Sequence, residues 1–286
     1  MSFLRNIDSL LALQSISSPF LDVVMRGISF LGSEFFYFAL LVFLYWGVSR
    51  KLSIRLATVT LLSLYINFLL KDLFALPRPE GPGLRVLEEA SDFSFPSGHA
   101  QSVTSFFFFL ALSLKRSSLF VLAGALAFLV SLSRLYLGVH YLEDVLGGVA
   151  LGFAFALGFW MLFQNRFLKL SSPLSGFLVL IPASCVLFFL ASSHLGFVVA
   201  GSLTGALAGY LLSLWVGLEE GVFKATTYLL GTAGLVTLYL AGKRVALSSN
   251  FWLFFRYLLL NLFATFGFPL LASLGERRSS KRMRGA

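Results

Sequence analysis

Long apolar runs constrain this chain more than any other feature of its sequence. Continuous hydrophobic stretches, most of them closed by charged residues or by proline, recur from residue 33 to residue 273. A helix of about 20 apolar residues crosses the hydrocarbon core of a bilayer. The runs do not alternate apolar with polar residues, as the strands of an outer-membrane barrel would. We therefore predict an all-α, polytopic membrane helical bundle with about nine spans: 33–49, 52–76, 96–114, 118–137, 141–163, 174–191, 194–216, 224–242 and 251–273.

The composition agrees with a membrane protein and argues against a nucleic-acid partner. Hydrophobic residues make up 58% of the chain and charged residues 12%, whereas a soluble domain carries about 25% charged residues. The formal net charge is +9, but the cations collect at the ends of apolar runs, where membrane topology requires them. We therefore expect these cations to interact with the bilayer, and we expect no nucleic-acid partner.

The runs and their boundaries divide the chain into four parts. Residues 1–32 mix apolar and charged residues at roughly helical spacing, which predicts an amphipathic N-terminal segment at the membrane interface. Residues 33–165 form a transmembrane core, and residues 166–276 form accessory transmembrane helices. Residues 277–286 are rich in cations, which predicts a basic cytoplasmic tail.

Three polar islands interrupt the apolar core. The first is Lys71–Pro79 (KDLFALPRP), the second is Pro96–His99 (PSGH), and the third is Ser133–Asp144 (SRLYLGVHYLED). Charges inside a membrane or at its edge are costly, so a cluster of them indicates a functional site. Span counting places all three islands at the same face of the membrane.

The distribution of cations predicts which face this is. The opposite face carries the five basic residues of the tail and Arg50, Lys51, Arg55, Lys115, Arg116, Arg166, Lys169 and Lys224. Outside the islands, the island face carries only Arg5, Arg26, Arg85, Lys243, Arg244 and Arg256. Because cations accumulate on the cytoplasmic side, we expect the islands outside. In a bacterial inner membrane, which we expect, this is the periplasmic or extracellular side; in a eukaryote it is an organelle lumen.

The third island contains a candidate nucleophile. His140 and Asp144 are four residues apart at a predicted helix start, so their side chains share a face. A carboxylate there can accept a hydrogen bond from one imidazole nitrogen and leave the other nitrogen nucleophilic. An ordinary ion pair at a helix start explains the same spacing.

The second island predicts an anion site at the start of a helix. Pro96 suits a first helical turn, Ser97 and Gly98 offer backbone N–H groups at the positive end of the helix, and His99 can protonate a leaving oxygen. A helix start with a polar rim is the alternative.

Three cations are candidates for holding phosphate oxygens. Lys71 and Arg78 are two helical turns apart, and Arg134 joins them from the end of the fourth span. A guanidinium binds phosphate through two parallel hydrogen bonds. Snorkelling at the membrane edge explains any one of the three, but less well three of them beside two histidines.

These motifs resemble the signature of a known enzyme family. The patterns K-x6-RP, PSGH and SR-x5-H-x3-D, in this order and separated by membrane spans, are similar to those of the type 2 phosphatidic acid phosphatase (PAP2) superfamily. Within that superfamily, the chain resembles the membrane-bound lipid phosphatase branch. The matching residues are Lys71, Arg78, Pro79, Pro96, Ser97, Gly98, His99, Ser133, Arg134, His140 and Asp144. The signature covers residues 71–144 and implies that 33–165 is the catalytic core.

The resemblance implies a role for each residue. His140 is expected to attack phosphorus and form a phosphohistidine, with Asp144 orienting it. His99 is expected to protonate the leaving group and then to activate water. Lys71, Arg78, Arg134, Ser97 and the Gly98 N–H are expected to hold the phosphate oxygens. Family members need no metal or other cofactor, so none is expected here.

The expected reaction is therefore hydrolysis of a lipid phosphomonoester or diphosphate. A lipid phosphotransferase and a phosphatase of a soluble ester, similar to glucose-6-phosphatase, are alternatives. A lipid transporter or scramblase with a vestigial site is an alternative of another class. Glycine stripes at 148–152 and 201–209 predict close helix packing, either within the chain or in a homodimer.

Overall fold

The structure, a computed structural model, describes residues 5–164, 172–218, 223, 225–245 and 249–275. All regular structure in these ranges is helical and no strand occurs in them, which confirms the predicted all-α class. The predicted basic tail at 277–286 lies outside the described residues. The helices are α1 (Asp8–Gln14), α2 (Pro19–Phe30), α3 (Glu34–Gly47), α4 (Arg50–Phe74), α5 (Gly98–Leu114), α6 (Ser117–Tyr136), α7 (Leu142–Gln164), α8 (Pro173–Leu190), α9 (His194–Trp215), α10 (Ala225–Arg244) and α11 (Asn250–Leu262), which one π-helical turn (Phe263–Gly267) continues.

The predicted count of nine spans is not confirmed. Among the described helices, seven are long and apolar enough to cross a membrane, or up to eight if the bent pair α2–α3 forms one span. The predicted first and third spans fall short, because α3 has 14 residues and α5 has 17. At about 1.5 Å per residue these helices extend roughly 21 and 26 Å, against a hydrocarbon core of about 30 Å.

The chain divides into two compact units. One contains residues 1–38 and 62–168, and the other contains residues 39–61 and 169–286. The division falls inside α3 and inside α4, so each of these helices contributes to both units. All three polar islands belong to the first unit.

In the first unit, two glycines of α7 allow a close approach to α5. A Cβ atom on Gly148 would lie 2.5 Å from the carbonyl oxygen of Ser97, and one on Gly152 would lie 2.5 Å from that of Gln101. Real Cβ atoms do not come this close, so a larger residue at either position would push the helices apart. The backbone N–H of Ser97 accordingly donates to the carbonyl oxygen of Asp144 over 2.9 Å. Helix packing thus joins the second island to the third.

A buried polar network joins α4 to α5. Asn67 donates from Nδ2 to Oε1 of Gln101 over 2.7 Å and to the carbonyl oxygen of Pro96 over 3.1 Å. Gln101 donates from Nε2 to the carbonyl oxygen of Ser63 over 2.7 Å. Hydrogen bonds between side chains hold membrane helices in a fixed register. This network therefore fixes the start of α5, where the second island lies, against α4.

The N-terminal helices α1 and α2 are part of the first unit and pack near its polar islands. Ser18 caps α2 by accepting a hydrogen bond from the backbone N–H of Leu21 over 3.2 Å. The side chain of Gln14, at the end of α1, is buried and donates from Nε2 to the carbonyl oxygens of Arg85 and Tyr136, each over 2.8 Å. Gln14 therefore ties α1 both to the loop that follows α4 and to the end of α6.

In the second unit, the glycine stripe of α9 packs within the chain. Cβ atoms on Gly201 and Gly205 would overlap the carbonyl oxygens of Phe254 and Leu258 in α11. The stripe is therefore covered by α11, and it gives no support to the alternative of a homodimer. The stripe at 148–152 is likewise covered by α5.

Candidate active site

The 75–97 loop, which joins α4 to α5, is anchored at two points. The backbone N–H of Ser94 donates to the carbonyl oxygen of Leu76 over 2.9 Å. The N–H of Leu87 donates to the carbonyl oxygen of Leu137 over the same distance. The loop therefore lies against the turn between α6 and α7, which carries the third island.

Lys71 and Arg78 converge through this loop. Their spacing of two helical turns does not place them on one helix face, because α4 ends at Phe74 and Ala75 has a left-handed φ of 48°. Lys71 lies in the last turn of α4, whereas Arg78 lies beyond the helix in the loop. The guanidinium of Arg78 donates from NH1 to the carbonyl oxygen of Val139 over 2.7 Å, which fixes it beside the third island.

The carboxylate of Asp92 bridges these two cations. Oδ2 lies 3.1 Å from Nζ of Lys71, and Oδ1 accepts a hydrogen bond from NH2 of Arg78. Burial acts to raise the pKa of Asp92, but the charges of Lys71 and Arg78 outweigh it and hold that pKa below its usual value. Asp92 is therefore an anion at neutral pH, and the two cations lie close enough together to hold one small anionic group.

Arg134, in the last turn of α6, lies buried at the same site. Its side chain is only 3% exposed. NH1 donates to Oγ of Ser29 over 2.6 Å and to Oε2 of Glu88 over 2.7 Å. Nε is buried and has no hydrogen-bond partner among the described residues. The guanidinium therefore has an unused donor in the protein interior.

Helix α5 begins two residues after Pro96, which was predicted to lie in its first turn. Ser97 is the N-cap residue and Gly98 is the first helical residue, so Pro96 precedes the helix. The Ser97 hydroxyl does not cap the helix; it is buried and has no hydrogen-bond partner in the described part of the chain. A buried hydroxyl without a partner costs free energy, and an anion at the helix N-terminus would satisfy it.

His140 and Asp144 approach each other, but Nδ1 of His140 has no hydrogen-bond partner among the described residues, so the predicted hydrogen bond is not formed. Nδ1 of His140 lies 3.5 Å from Oδ2 of Asp144, and both side chains are almost completely buried. His140 precedes α7, whereas Asp144 lies in its first turn. Oδ2 also accepts hydrogen bonds from the N–H of Tyr141 over 2.7 Å and from Oγ of Ser94. The carboxylate is therefore held on the Nδ1 side of the imidazole.

The other ring nitrogen of His140, Nε2, faces Arg78, which is a candidate phosphate-binding residue. Nε2 of His140 lies 3.4 Å from NH1 of Arg78. Burial lowers the pKa of His140 well below its usual value, and the charges of Arg134, Arg78 and Lys71 lower it further. The imidazole is therefore neutral at neutral pH, and Nε2 can offer a lone pair beside the cation.

His99 follows Gly98 in the first turn of α5 and lies against the turn between α2 and α3. A Cβ atom on Gly32 would lie 2.8 Å from Cβ of His99, so the absence of a side chain at Gly32 leaves room for the imidazole. His99 lies two residues after Ser97, whose backbone N–H donates to the carbonyl oxygen of Asp144. The start of α5, which carries His99, therefore lies beside the third island.

Two carboxylates of this cluster were missed by sequence reasoning. Asp92 and Glu88 lie between the first two islands and were not among the predicted site residues, but they contact the three predicted phosphate-binding cations. Charge balance was the available signal. Buried cations need anionic partners, and the loop between the first two islands carries four carboxylates, Glu80, Glu88, Glu89 and Asp92.

Arg5 was also missed, because its position in the amphipathic segment indicated only an interfacial residue. NH1 lies 2.6 Å from Oε1 of Glu143 and 3.9 Å from Oδ1 of Asp144. The guanidinium lies 4.7 Å from the centre of the Tyr141 ring and donates to the carbonyl oxygen of Pro77. Arg5 thus joins the N-terminal segment to the loop after α4 and to the start of α7, where Glu143 is its ion-pair partner.

A cavity opens beside Arg78 and the 75–97 loop. Its volume is about 580 Å³, and Arg78, Glu88 and Val139 are among the residues that line it. In the described ranges, no three His, Cys, Asp or Glu side chains are arranged to hold a metal ion. Three cations, a free hydroxyl and a neutral imidazole form a site suited to a phosphate group and to attack on its phosphorus atom.

Comparisons with known proteins agree with this chemistry. A family model described as the PAP2 superfamily matches residues 52–168. Phosphatidylglycerophosphatase B of Bacillus subtilis is 35% identical over 150 residues, which cover 48% of this chain and 72% of that protein. Human sphingosine-1-phosphate phosphatase 2 is 38% identical over 127 residues, which cover 42% of this chain but only 32% of the human protein.

One solved structure is also similar. A transmembrane PAP2-type phosphatidylglycerolphosphate phosphatase from Bacillus subtilis is 29% identical and superposes with a TM-score of 0.49. The match covers 57% of this chain and 86% of that chain.

Proposed function

The chain belongs to the PAP2 superfamily, and on that premise we propose that it is an integral membrane phosphatase that hydrolyses the phosphomonoester or diphosphate of a lipid. One observation carries the proposal. NH1 of Arg78 lies 3.4 Å from Nε2 of His140, so a phosphate held by Arg78 lies next to a candidate nucleophile. The exposed apolar side chains of α6 and α7, such as Val121 and Leu146, favour a substrate whose acyl chains stay in the bilayer.

The proposed reaction has two steps. In the first, Nε2 of His140 attacks phosphorus, the bond from phosphorus to the lipid oxygen breaks, and His99 gives that oxygen a proton. In the second, His99 takes a proton from water, the water oxygen attacks phosphorus, and the bond to His140 breaks with release of inorganic phosphate. Asp144 holds the imidazole of His140 in the productive orientation.

The cations supply the electrostatic stabilisation in both steps. Lys71, Arg78 and Arg134, with the hydroxyl of Ser97 and the N–H of Gly98, hold the phosphate oxygens as negative charge develops on them. The side chains of Lys71 and Arg134 are 3% exposed. Donors fixed in a poorly solvated site stabilise a transition state more than mobile donors in water do. We propose that the reaction needs no metal ion, because the side chains carry the required positive charge.

Phosphate release by the purified protein tests this function. We expect inorganic phosphate from at least one of phosphatidic acid, phosphatidylglycerophosphate, a sphingoid phosphate or undecaprenyl diphosphate, and no loss of activity with EDTA. Release from glucose 6-phosphate alone would contradict a lipid substrate. Transfer of labelled phosphate to another lipid would identify a phosphotransferase. Loss of activity with EDTA that magnesium restores would contradict the metal-independent mechanism.

We also propose that the site faces the periplasmic or extracellular side of a bacterial inner membrane. The excess of cations at the other ends of the predicted spans supports this orientation. Ser91, in the 75–97 loop, and Ser117, at the start of α6, are both exposed and lie at opposite ends of α5.

Two cysteine variants test the orientation without depending on the number of spans. In a Cys185→Ser background, a membrane-impermeant maleimide should label Ser91→Cys in intact cells. Ser117→Cys, the matched control, should react only after the membrane is permeabilised. The opposite labelling pattern would place the site in the cytoplasm.

A further inference from the structure

Two carboxylates of the 75–97 loop form ion pairs with all three predicted phosphate-binding cations. Asp92 contacts Lys71 with one oxygen and Arg78 with the other. Oε2 of Glu88 lies 2.7 Å from NH1 of Arg134. A carboxylate oxygen is an acceptor of the same kind as a phosphate oxygen, and both bind a guanidinium through the same donors. The positions that a bound phosphate needs are therefore shared with two side chains of the protein.

The carboxylates are more exposed than Lys71 and Arg134, the two cations at helix ends. The side chains of Lys71 and Arg134 are 3% exposed, whereas those of Asp92 and Glu88 are 32% exposed. Arg78 is held separately by its hydrogen bond to the carbonyl oxygen of Val139. Partly exposed carboxylates on a loop can turn into water at low cost, whereas the cations on helix ends cannot. Binding of phosphate therefore displaces the carboxylates and leaves the cations in place.

The net charge of a phosphate group determines whether it can displace the two carboxylates. Lys71, Arg78 and Arg134 carry three positive charges, and Asp92 and Glu88 supply two negative charges. A phosphomonoester carries about −1.5 to −2 at neutral pH, so it replaces the displaced charge nearly in full. A phosphodiester carries a single negative charge and would leave the buried cations undercompensated, which is costly in a poorly solvated site.

Given the proposed lipid phosphatase function, we propose that Asp92 and Glu88 determine its specificity by competing with phosphate for Lys71, Arg78 and Arg134. Dianionic phosphomonoesters and diphosphates displace the two carboxylates. Monoanionic phosphodiesters, the form of phosphate in the bulk phospholipids that surround the protein, do not. The carboxylates thus keep the site free of membrane lipid that cannot be hydrolysed.

Phosphate release in mixed micelles tests the proposal. The substrate is phosphatidic acid, a lipid phosphomonoester, and the added competitor is phosphatidylglycerol, a monoanionic phosphodiester. We expect phosphatidylglycerol to leave the KM of the native protein nearly unchanged. In Asp92→Asn, we expect KM for phosphatidic acid to fall roughly two- to fivefold, as for removal of one partly exposed ionic competitor, and phosphatidylglycerol to become a competitive inhibitor.

The control variants separate competition from a structural role. Glu88→Gln removes the carboxylate that pairs with Arg134, so we expect it to lower KM and to permit inhibition by phosphatidylglycerol in the same way. This variant provides the test if Asp92→Asn folds poorly. Glu80→Gln removes an exposed carboxylate of the same loop and should behave like the native protein. If Asp92 and Glu88 only orient the cations, both variants will lose kcat and gain no affinity for phosphatidylglycerol, and the proposal is wrong.

The failure of this inference differs from the failure of the proposed function. A native protein that releases phosphate from a lipid monoester but is inhibited by phosphatidylglycerol as strongly as Asp92→Asn contradicts only the role of the carboxylates. A folded native protein that releases no phosphate from any lipid phosphomonoester or diphosphate contradicts the function on which the inference rests.

Discussion

His140→Ala is expected to lose phosphatase activity by roughly 10⁴-fold or more, in line with removal of a catalytic nucleophile. The physical reason is the position of its two ring nitrogens. Nδ1 lies 3.5 Å from the carboxylate of Asp144, and Nε2 lies 3.4 Å from NH1 of Arg78. No other neutral nucleophile with this geometry lies in the described part of the site, so an alanine leaves the bound phosphate without an attacking group.

A decrease in kcat with little change in substrate binding is the specific signature of this role. The cations that bind phosphate remain in His140→Ala, so inorganic phosphate should still bind to the variant with nearly the affinity that it has for the native protein. His194→Ala is the matched control, because His194 is exposed and starts α9 in the other unit. Substantial turnover by a folded His140→Ala protein would show that another group attacks phosphorus.

His99→Ala has the second largest expected effect, about 10²- to 10⁴-fold in kcat on a lipid phosphate, the usual range for loss of a general acid. A lipid alkoxide is a poor leaving group and needs a proton as the bond to phosphorus breaks. A p-nitrophenolate leaves without one. The loss should therefore be much smaller for the first step with p-nitrophenyl phosphate than with a lipid phosphate.

This dependence on the leaving group separates an acid from a packing residue. His99 lies against Gly32, so its removal also leaves a space at the turn between α2 and α3. A packing defect would lower activity on both substrates equally. The measurement is the rate of alcohol or nitrophenol release in a single turnover, since this reports only the first step. Equal losses on the two substrates would contradict the assigned role of His99.

Short motifs allowed much of the site to be located from the sequence. Local spacing placed His140 and Asp144 at a helix start, and span counting placed the islands at one face. The structure brings Lys71, Arg78 and His140 together, as those arguments anticipated. These inferences needed only helix geometry and the cost of membrane charges, and the chemical roles that they assign stay predictions.

Features that depend on loop conformation could not be predicted in this way. Asp92 is 14 residues from Arg78, and Glu88 is 46 residues from Arg134. No spacing rule relates such positions, because the path of the 75–97 loop decides which carboxylate meets which cation. The same limit applies to Arg5, which reaches Glu143 across 138 residues of sequence.

Helix ends and packing partners were also beyond the sequence patterns. Hydropathy does not show that the backbone N–H of Ser97 donates to the carbonyl oxygen of Asp144. The residues before Gly98 therefore belong to the site, and α5 is shorter than the predicted span. The stripe that contains Gly201 indicated close packing, but only the structure shows that α11 is its partner. The stripe alone did not identify which helix it packs against.

Rapid acid-free quenching of the protein with a lipid labelled in its phosphate group tests the central claim most directly. The account predicts a covalent phosphoprotein that is stable in alkali and labile in acid, with the label on the peptide that contains His140. The label should be absent in His140→Ala and should persist longer in His99→Ala. Phosphate release from the lipid without any labelled His140, or with the label on another residue, would contradict the account.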